Sequence, residues 1–330
     1  MREFSYRSAK SVDSALALLA DHDGPARFLA GGTNLVDLMK LDVTRPTLLV
    51  DVNDLPLDQI AETDDGGIRI GATARNSDVA AHALIRERFP ALAQAIVAGA
   101  SGQLRNQATV GGNLLQRTRC VYFTDATKPC NKRDPGSGCP ARDGEHHNLA
   151  ILGASEQCIA TNPSDFAVPL AAFDAVVHAR DSDGDHEIPL AEFYRSPGDE
   201  PQRDTTLPPG ALITAVVLPS SPLATGSVYR KIRERASYAF AIGSIAAAID
   251  VDDDVVHDVR IALGAVAPMP WRARAAERAL VGRHATPETF RDAADAELAD
   301  ARPLRDNAYK VPLIRNLIAR TLTELSEAAS

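Results

Sequence analysis

Four cysteines, Cys120, Cys130, Cys139 and Cys158, fall inside one 39-residue window of a 330-residue chain that has no other cysteine. This clustering constrains the chain more than any other feature, because something local must use four sulfurs. The spacing is Cys-x9-Cys-x8-Cys-x18-Cys, and Pro129, Pro135, Gly136, Gly138 and Pro140 punctuate it. Regular structure is therefore not expected from about Arg117 to Asn148, and a loop of that length inside a compact domain is usually functional or disordered.

Three readings of the four sulfurs stay open: two disulfides, a structural zinc, or an iron–sulfur cluster. Structural zinc usually draws on tight Cys-x2-4-Cys pairs, which are missing here, although His146 and His147 keep it in play. Adjacent histidines on a polar loop are more often simply solvated. Disulfides suit an exported chain, and Met1 to Lys10 lacks the basic-then-apolar pattern of a signal. A wide, flexible loop can wrap a cluster, and Arg119, Lys128, Lys132, Arg133 and Arg142 would offset the charge of four thiolates and sulfides.

Forty-four acidic against 35 basic side chains give a formal charge of −9, so there is no electrostatic footprint for a nucleic acid. The longest nearly uncharged apolar run, Tyr238 to Ile249, is too short for a membrane span. With 45% apolar residues the chain can build two or three cored units. No signal of its own is apparent, and the compartment, cytoplasm or periplasm, stays open because a folded chain can be exported beside a signal-bearing partner.

The pattern predicts a helix after Ser11 ending at Gly24, a strand Ala26 to Ala30, a short helical turn Leu35 to Lys40 and a strand Thr47 to Asp51. A second unit opens with a strand Ile68 to Gly71 and a helix Pro90 to about Gly99. After the cysteines come a strand Gln157 to Thr161, a helix Asp165 to Ala172 and a strand Val176 to Arg180. Pro197 to Gly210 reads as a linker or lid. Antiparallel segments Ser227 to Arg233, Ala241 to Asp250 and Val255 to Leu263 then precede helices at Trp271 to Val281, Pro287 to Leu298 and Asn307 to Ala328.

Gly31-Gly32-Thr33-Asn34 turns a strand into a helix start and leaves backbone N–H groups under little steric cover, an arrangement that suits a diphosphate. Alone it could be a tight turn, since it is not the G-x-G-x-x-G pattern. Gly111-Gly112-Asn113 repeats the signal about eighty residues on, again before Leu-Leu, so the two could clasp one extended ligand. Thr109 adds a hydroxyl. Thr161 to Asp165 supplies a third polar turn, equally readable as a helix cap. In the cationic stretch Tyr229 to Tyr238, Lys231 either reaches a flavin or sits on a solvated strand edge. No hydrolytic triad, H-E-x-x-H or paired-carboxylate motif stands out.

Phe28-Leu-Ala-Gly-Gly-Thr-Asn-Leu35, Thr109-Val-Gly-Gly-Asn-Leu-Leu115, Asn162-Pro-Ser-Asp165 and Arg230-Lys231, in this order, resemble the FAD-binding medium subunit of the xanthine dehydrogenase or molybdenum hydroxylase family. The resemblance runs essentially end to end. Within the family, Gln116 to Cys120, Pro129 to Arg133 and Gly136 to Cys139 are most similar to the FAD subunits of bacterial periplasmic aldehyde oxidoreductases, which carry an extra [4Fe–4S] cluster.

The resemblance implies an α+β fold. A two-part FAD-binding region of the PCMH or vanillyl-alcohol oxidase type would cover residues 1–222, divided near 57 and 58, with an iron–sulfur loop at about 117–158. A smaller C-terminal α+β domain, an antiparallel sheet plus helices, would cover 223–330. The resemblance assigns Phe28, Leu29, Ala30, Gly31, Gly32, Thr33, Asn34 and Leu35, with Thr109, Gly112 and Asn113, to the FAD diphosphate region. Asp165 and Lys231 become further FAD contacts, and Cys120, Cys130, Cys139 and Cys158 the cluster ligands.

It also implies a small partner subunit with two [2Fe–2S] clusters and a large one with the molybdenum cofactor, where an aldehyde is hydroxylated. This chain would then relay electrons through FAD to an external acceptor. The alternatives are a stand-alone flavin reductase or oxidase on the same fold, for which no proton donor stands out, and a zinc-stabilised binding module without catalysis. Substrate range and acceptor are not readable from these residues.

Overall fold

In the computed structural model residues 1–329 are described. The first sheet holds three parallel strands, β1 (Ser5–Ser8), β2 (Ala26–Leu29) and β3 (Leu48–Asp51), in the order β1-β3-β2. Its middle strand buries Leu48, Leu49 and Val50 in succession, as a parallel strand covered on both faces requires, and ends on the half-buried Asp51. Helix Val12–Ala20 is fixed at its start by a capping box between Ser11 and Ser14, and it ends at Asp21 rather than at Gly24. Helix Leu35–Lys40 follows β2 after residues 30–34.

The second sheet is antiparallel, with β4 (Ile60–Glu62), β5 (Ile68–Gly71), β6 (Val176–Asp181), β7 (Gly184–Pro189) and β8 (Leu212–Leu218) in the order β4-β5-β8-β6-β7. Between β5 and β6 the chain leaves the sheet for a set of short helices, including Pro90–Ala98, Gly102–Gln107 and Val110–Leu114, and for the cysteine loop.

The third sheet is a meander of β9 (Val228–Ile232), β10 (Gly243–Asp252), β11 (Val255–Gly264) and β12 (Trp271–Arg272). Alternate residues of β10 face opposite ways. Ile245 and Ala247 join Phe290, Ile314, Ile318 and Leu322 under the C-terminal helices, while Ala246 and Ala248 join Phe166 and Val168 in the core of the second unit. The third sheet is thereby packed on both faces. The expected α+β class, with an antiparallel sheet and helices at the C-terminal end, is what the chain forms.

Several local expectations differ. Gln157 to Thr161 forms no strand; it runs irregularly past the cysteine pocket, where Ala150 N donates to Ile159 O at 2.9 Å. The helix expected from Trp271 begins at Arg274, because Trp271 and Arg272 pair with Leu263 and Ala262 as an edge strand. The last helix is Lys310–Ala329; Asn307 is buried before it, where its side chain binds the Leu149 and Ala150 carbonyls. Strand β8, central to its sheet, is absent from the sequence reading, as are the strands β1, β4 and β7.

Candidate functional site

The first glycine turn lies between β2 and helix Leu35–Lys40. A Cβ on Gly31 would stand 2.1 Å from the Gln107 carbonyl oxygen, so no other residue fits without moving backbone. Gly32 has a φ of +72°, a conformation that glycine adopts without steric cost. Gln107 belongs to the second turn region, where Arg75 donates to its carbonyl and also to Asn53 Oδ1. The turns therefore abut.

Thr109 caps helix Val110–Leu114 by accepting from Gly112 N at 3.3 Å, and Val110 N and Gly111 N bond to the Ala74 and Ala72 carbonyls. The third turn closes on the second, with Ser164 Oγ donating to Asn113 Oδ1 at 2.7 Å. Ser164 also accepts from Ala167 N and starts the next helix, so the capping and the joining roles coexist.

Between the first two turns opens a cleft of about 840 Å³. Phe28, Ala30, Gly31, Gly32, Thr33, Asn34, Leu35, Thr109 and Gly112 line it; Leu29, Asn113, Asp165 and Lys231 do not. Among the charged side chains described on its wall, cations outnumber acids, with Arg27, Arg117, Lys132, Arg133 and Arg203 against Asp204. Burial, and Arg117 beside it, lower the proton affinity of Arg27. Asn34 accepts from Arg117 N at 3.0 Å through Oδ1, but its Nδ2 is buried without a partner.

A cleft of this size with a glycine cradle, a cationic wall and an unpaired amide donor fits a long dianionic ligand such as FAD. Arg27 and Arg117 carry no site expectation from the sequence, while the wall from Gln202 to Gly210 falls in the segment expected as a linker or lid. Arg27 stands in the strand that the first motif follows, and the prolines and mixed charge of residues 197–210 mark the wall segment.

Asp165 and Lys231 meet each other instead. Lys231 Nζ lies 2.7 Å from Asp165 Oδ2 and donates to the Ala98 carbonyl, and Tyr229 donates to Asp165 Oδ1 at 2.6 Å. Burial and the neighbouring carboxylate hold the Tyr229 phenol well above its ordinary value. Asp165 lines a second pocket, of about 250 Å³, with Arg119, Glu234 and Phe240. Thr161, Asn162 and Pro163 line both this pocket and the large cleft.

The four cysteines line one small pocket and none is in a disulfide. Loop geometry sets them there: Asn131 and Gly138 exchange hydrogen bonds, Cys130 N donates to Ser137 Oγ, and Asn131 Nδ2 reaches the Gln157 carbonyl. Burial pushes the Cys120 thiol up to about 11, and Cys130 and Cys158 nearby push it further the same way. Burial raises Cys139 and Cys158 too, with Lys132 opposing at Cys158.

Among the described residues no three His, Cys, Asp or Glu side chains converge as a single ion requires. The thiolates of an iron–sulfur cluster bind different iron atoms and stand further apart, and four thiols facing one pocket fit such a group in ligand type and number. His146 and His147 point elsewhere: His146 accepts from Asp306 N, and His147 stacks on Tyr309 at 4.6 Å. No helix among the described residues is long and apolar enough to cross a membrane.

Residues 2–221 match the family model described as the FAD binding domain in molybdopterin dehydrogenase, and residues 227–325 match the CO dehydrogenase flavoprotein C-terminal domain. The chain is 49% identical over 326 residues to the aldehyde oxidoreductase FAD-binding subunit PaoB of Escherichia coli K12, covering 98% of each chain. It is 26% identical to the carbon monoxide dehydrogenase medium chain of Hydrogenophaga pseudoflava, covering 97% of this chain and 96% of that one. A solved carbon monoxide dehydrogenase from H. pseudoflava superimposes with a TM-score of 0.77 at 25% identity, over 100% of this chain and 99% of that one. The glycine cradle, the cationic cleft and these matches together identify the chain as a member of the FAD-binding subunits of molybdopterin-dependent dehydrogenases, and so as an oxidoreductase component.

Proposed function

We propose that this chain is the electron-relay flavoprotein subunit of a molybdenum-dependent aldehyde oxidoreductase, with FAD in the large cleft and a [4Fe–4S] cluster on Cys120, Cys130, Cys139 and Cys158. The partners are a small subunit with two [2Fe–2S] clusters, a large subunit with the molybdenum cofactor, and an external electron acceptor. The aldehyde reading rests on the 49% identity to an aldehyde oxidoreductase subunit. The cluster reading rests on one observation, four free thiols facing one buried pocket beside a cleft built for a dianion.

FAD, when bound, supplies the ability to exchange electrons singly or in pairs. The chain's own residues then bind and orient. Phe28, Ala30 to Leu35, Thr109 and Gly112 would line the diphosphate cradle, with Leu29 and Asn113 in the same segments but off the cleft wall; Arg27 and Arg117 would offset its charge, and Asp165, held by Lys231, would face the further end of the ligand from the second pocket. The proposed units are residues 1–57, 58–222 and 223–330, with the cluster loop at about 117–158.

A visible spectrum and a low-temperature EPR spectrum of the purified chain, with flavin, iron and zinc counted together, test the proposal. One FAD and four irons per chain are expected. A colourless protein with one zinc would replace it by the zinc-stabilised module; FAD without iron, and turnover without partners, by the stand-alone flavoenzyme.

A further inference from the structure

Residues 197–210 have no regular secondary structure beyond an isolated bridge at Thr205, yet they form one wall of the large cleft from Gln202 to Gly210. Backbone bonds hold the segment at its base: Arg195 N to Asp204 O, and Thr206 N to Phe193 O. Its attachment to the cysteine loop runs through side chains, with Ser155 Oγ donating to the Gly198 carbonyl at 2.8 Å near the start of the segment and Asp204 serving at the cleft. Asp204 accepts from Arg117 Nε at 2.7 Å through Oδ2 and from Lys132 Nζ through Oδ1. Lys132 also donates to the Pro201 carbonyl at 2.7 Å, and Arg117 to the Gln202 carbonyl at 3.3 Å.

Both cations belong to the cysteine loop. Arg117 lies three residues before Cys120 and stacks over Phe123 at 4.7 Å; Lys132 lies two residues after Cys130 and its side chain is only 7% exposed. Burial alone would raise the Asp204 carboxyl, but Arg117 and Lys132 outweigh it and hold it ionised. The same carboxylate is the only acid on the cleft wall among the described residues. Whatever fixes Cys120 and Cys130 therefore fixes the two cations, and they tie the Asp204 side chain of a wall whose backbone Arg195 and Phe193 hold at its base.

We propose that Asp204 is a positioning residue that couples the two sites, so that the cleft retains FAD tightly only while a group bound by the four cysteines holds their loop in place. The inference rests on the function proposed above. Coupling of this kind is reciprocal: FAD in the cleft stabilises the wall, the Asp204 bonds and, through them, the ordered cysteine loop.

The test is a double-mutant cycle on the full chain in complex with whatever subunits co-purify. FAD is removed and titrated back by flavin fluorescence, with iron counted on the same samples. Asp204→Asn is expected to weaken FAD binding about tenfold, the scale of one lost charge-assisted bond, in iron-loaded protein. Removing the iron with a chelator, or Cys130→Ser, is expected to weaken it by a similar factor.

Combining the two should be no worse than the stronger single change, because both act on the same Asp204 bonds at the cleft wall. A product of the two factors, or Asp204→Asn with wild-type affinity, overturns the proposal. If Asp204→Asn does not fold, Lys132→Met breaks the same link from the loop side. Wild-type protein that never carries iron yet binds FAD tightly overturns the cluster reading and this coupling together. Iron-loaded protein with additive effects overturns the coupling alone.

Discussion

Lys231 and Asp165 form an ion pair of 2.7 Å in which the lysine side chain is 3% and the aspartate 11% exposed. The pair joins β9 of the third sheet to the third polar turn, and Tyr229, two residues before Lys231 on the same strand, donates to the other carboxylate oxygen. Sequence spacing suggests a lysine reaching for a ligand; the fold pairs it with a buried carboxylate. Lys231→Met leaves Asp165 uncompensated and is expected to cost about 3–5 kcal/mol. Thermal unfolding of Lys231→Met against Lys231→Met with Asp165→Leu checks this. The double variant should recover most of the loss, and equal losses would show that the pair matters only through its packing.

The approach of Gly31 to the Gln107 carbonyl yields a graded prediction. Gly31→Ala puts a methyl where the backbone of the second turn stands, Gly112→Ala brings one to 3.0 Å from Thr109 Oγ1, and Gly102→Ala meets nothing within 4 Å. The loss of flavin, read as the flavin-to-protein absorbance ratio after gel filtration, is expected to shrink in that order. It should be nearly complete for Gly31→Ala and absent for Gly102→Ala. Equal flavin content in all three would remove the two turns from the cofactor site.

Much of this site is legible in the chain because its parts are local. Gly31 to Asn34 carry their turn in their own sequence, whereas Gly111 to Asn113, expected as a second turn, lie inside helix Val110–Leu114; helix Pro287–Leu298 starts from its own cap, Thr286, with a proline in its first turn. What stays hidden is set by partners far along the chain. Leu212–Leu218 becomes a central strand only because β5 and β6 flank it, and Ser5–Ser8 becomes a strand only because Leu48–Asp51 pairs with it. Asp204 carries no motif at all, since its meaning comes from Arg117 and Lys132 in the cysteine loop.

The cysteine pocket separates ligands from neighbours. Serine at Cys120, Cys130, Cys139 or Cys158 is expected to reduce iron and acid-labile sulfide to a small fraction of the wild-type content. Alanine at His146 or His147 should leave both unchanged, because His146 is engaged with Ala141 O and Asp306 N and His147 with Tyr309. Iron loss on changing either histidine would reassign the ligand set.

Lys310 gives a stability prediction with a definite sign. Its side chain is fully buried at the start of the last helix, where Nζ donates to the carbonyls of Ala265, Leu149 and Asn148. Burial lowers its proton affinity from the ordinary 10.5 to about 7. Between those values the unfolded chain holds a proton that the folded chain has released, so unfolding takes up a proton and stability rises with pH. The slope is at most about 1.4 kcal/mol per pH unit for one proton, and it vanishes below 7 and above 10.5. Urea midpoints at pH 7, 8 and 9 should therefore climb more steeply in wild type than in Lys310→Met. Parallel curves would mean that the three carbonyls keep the ammonium charged throughout.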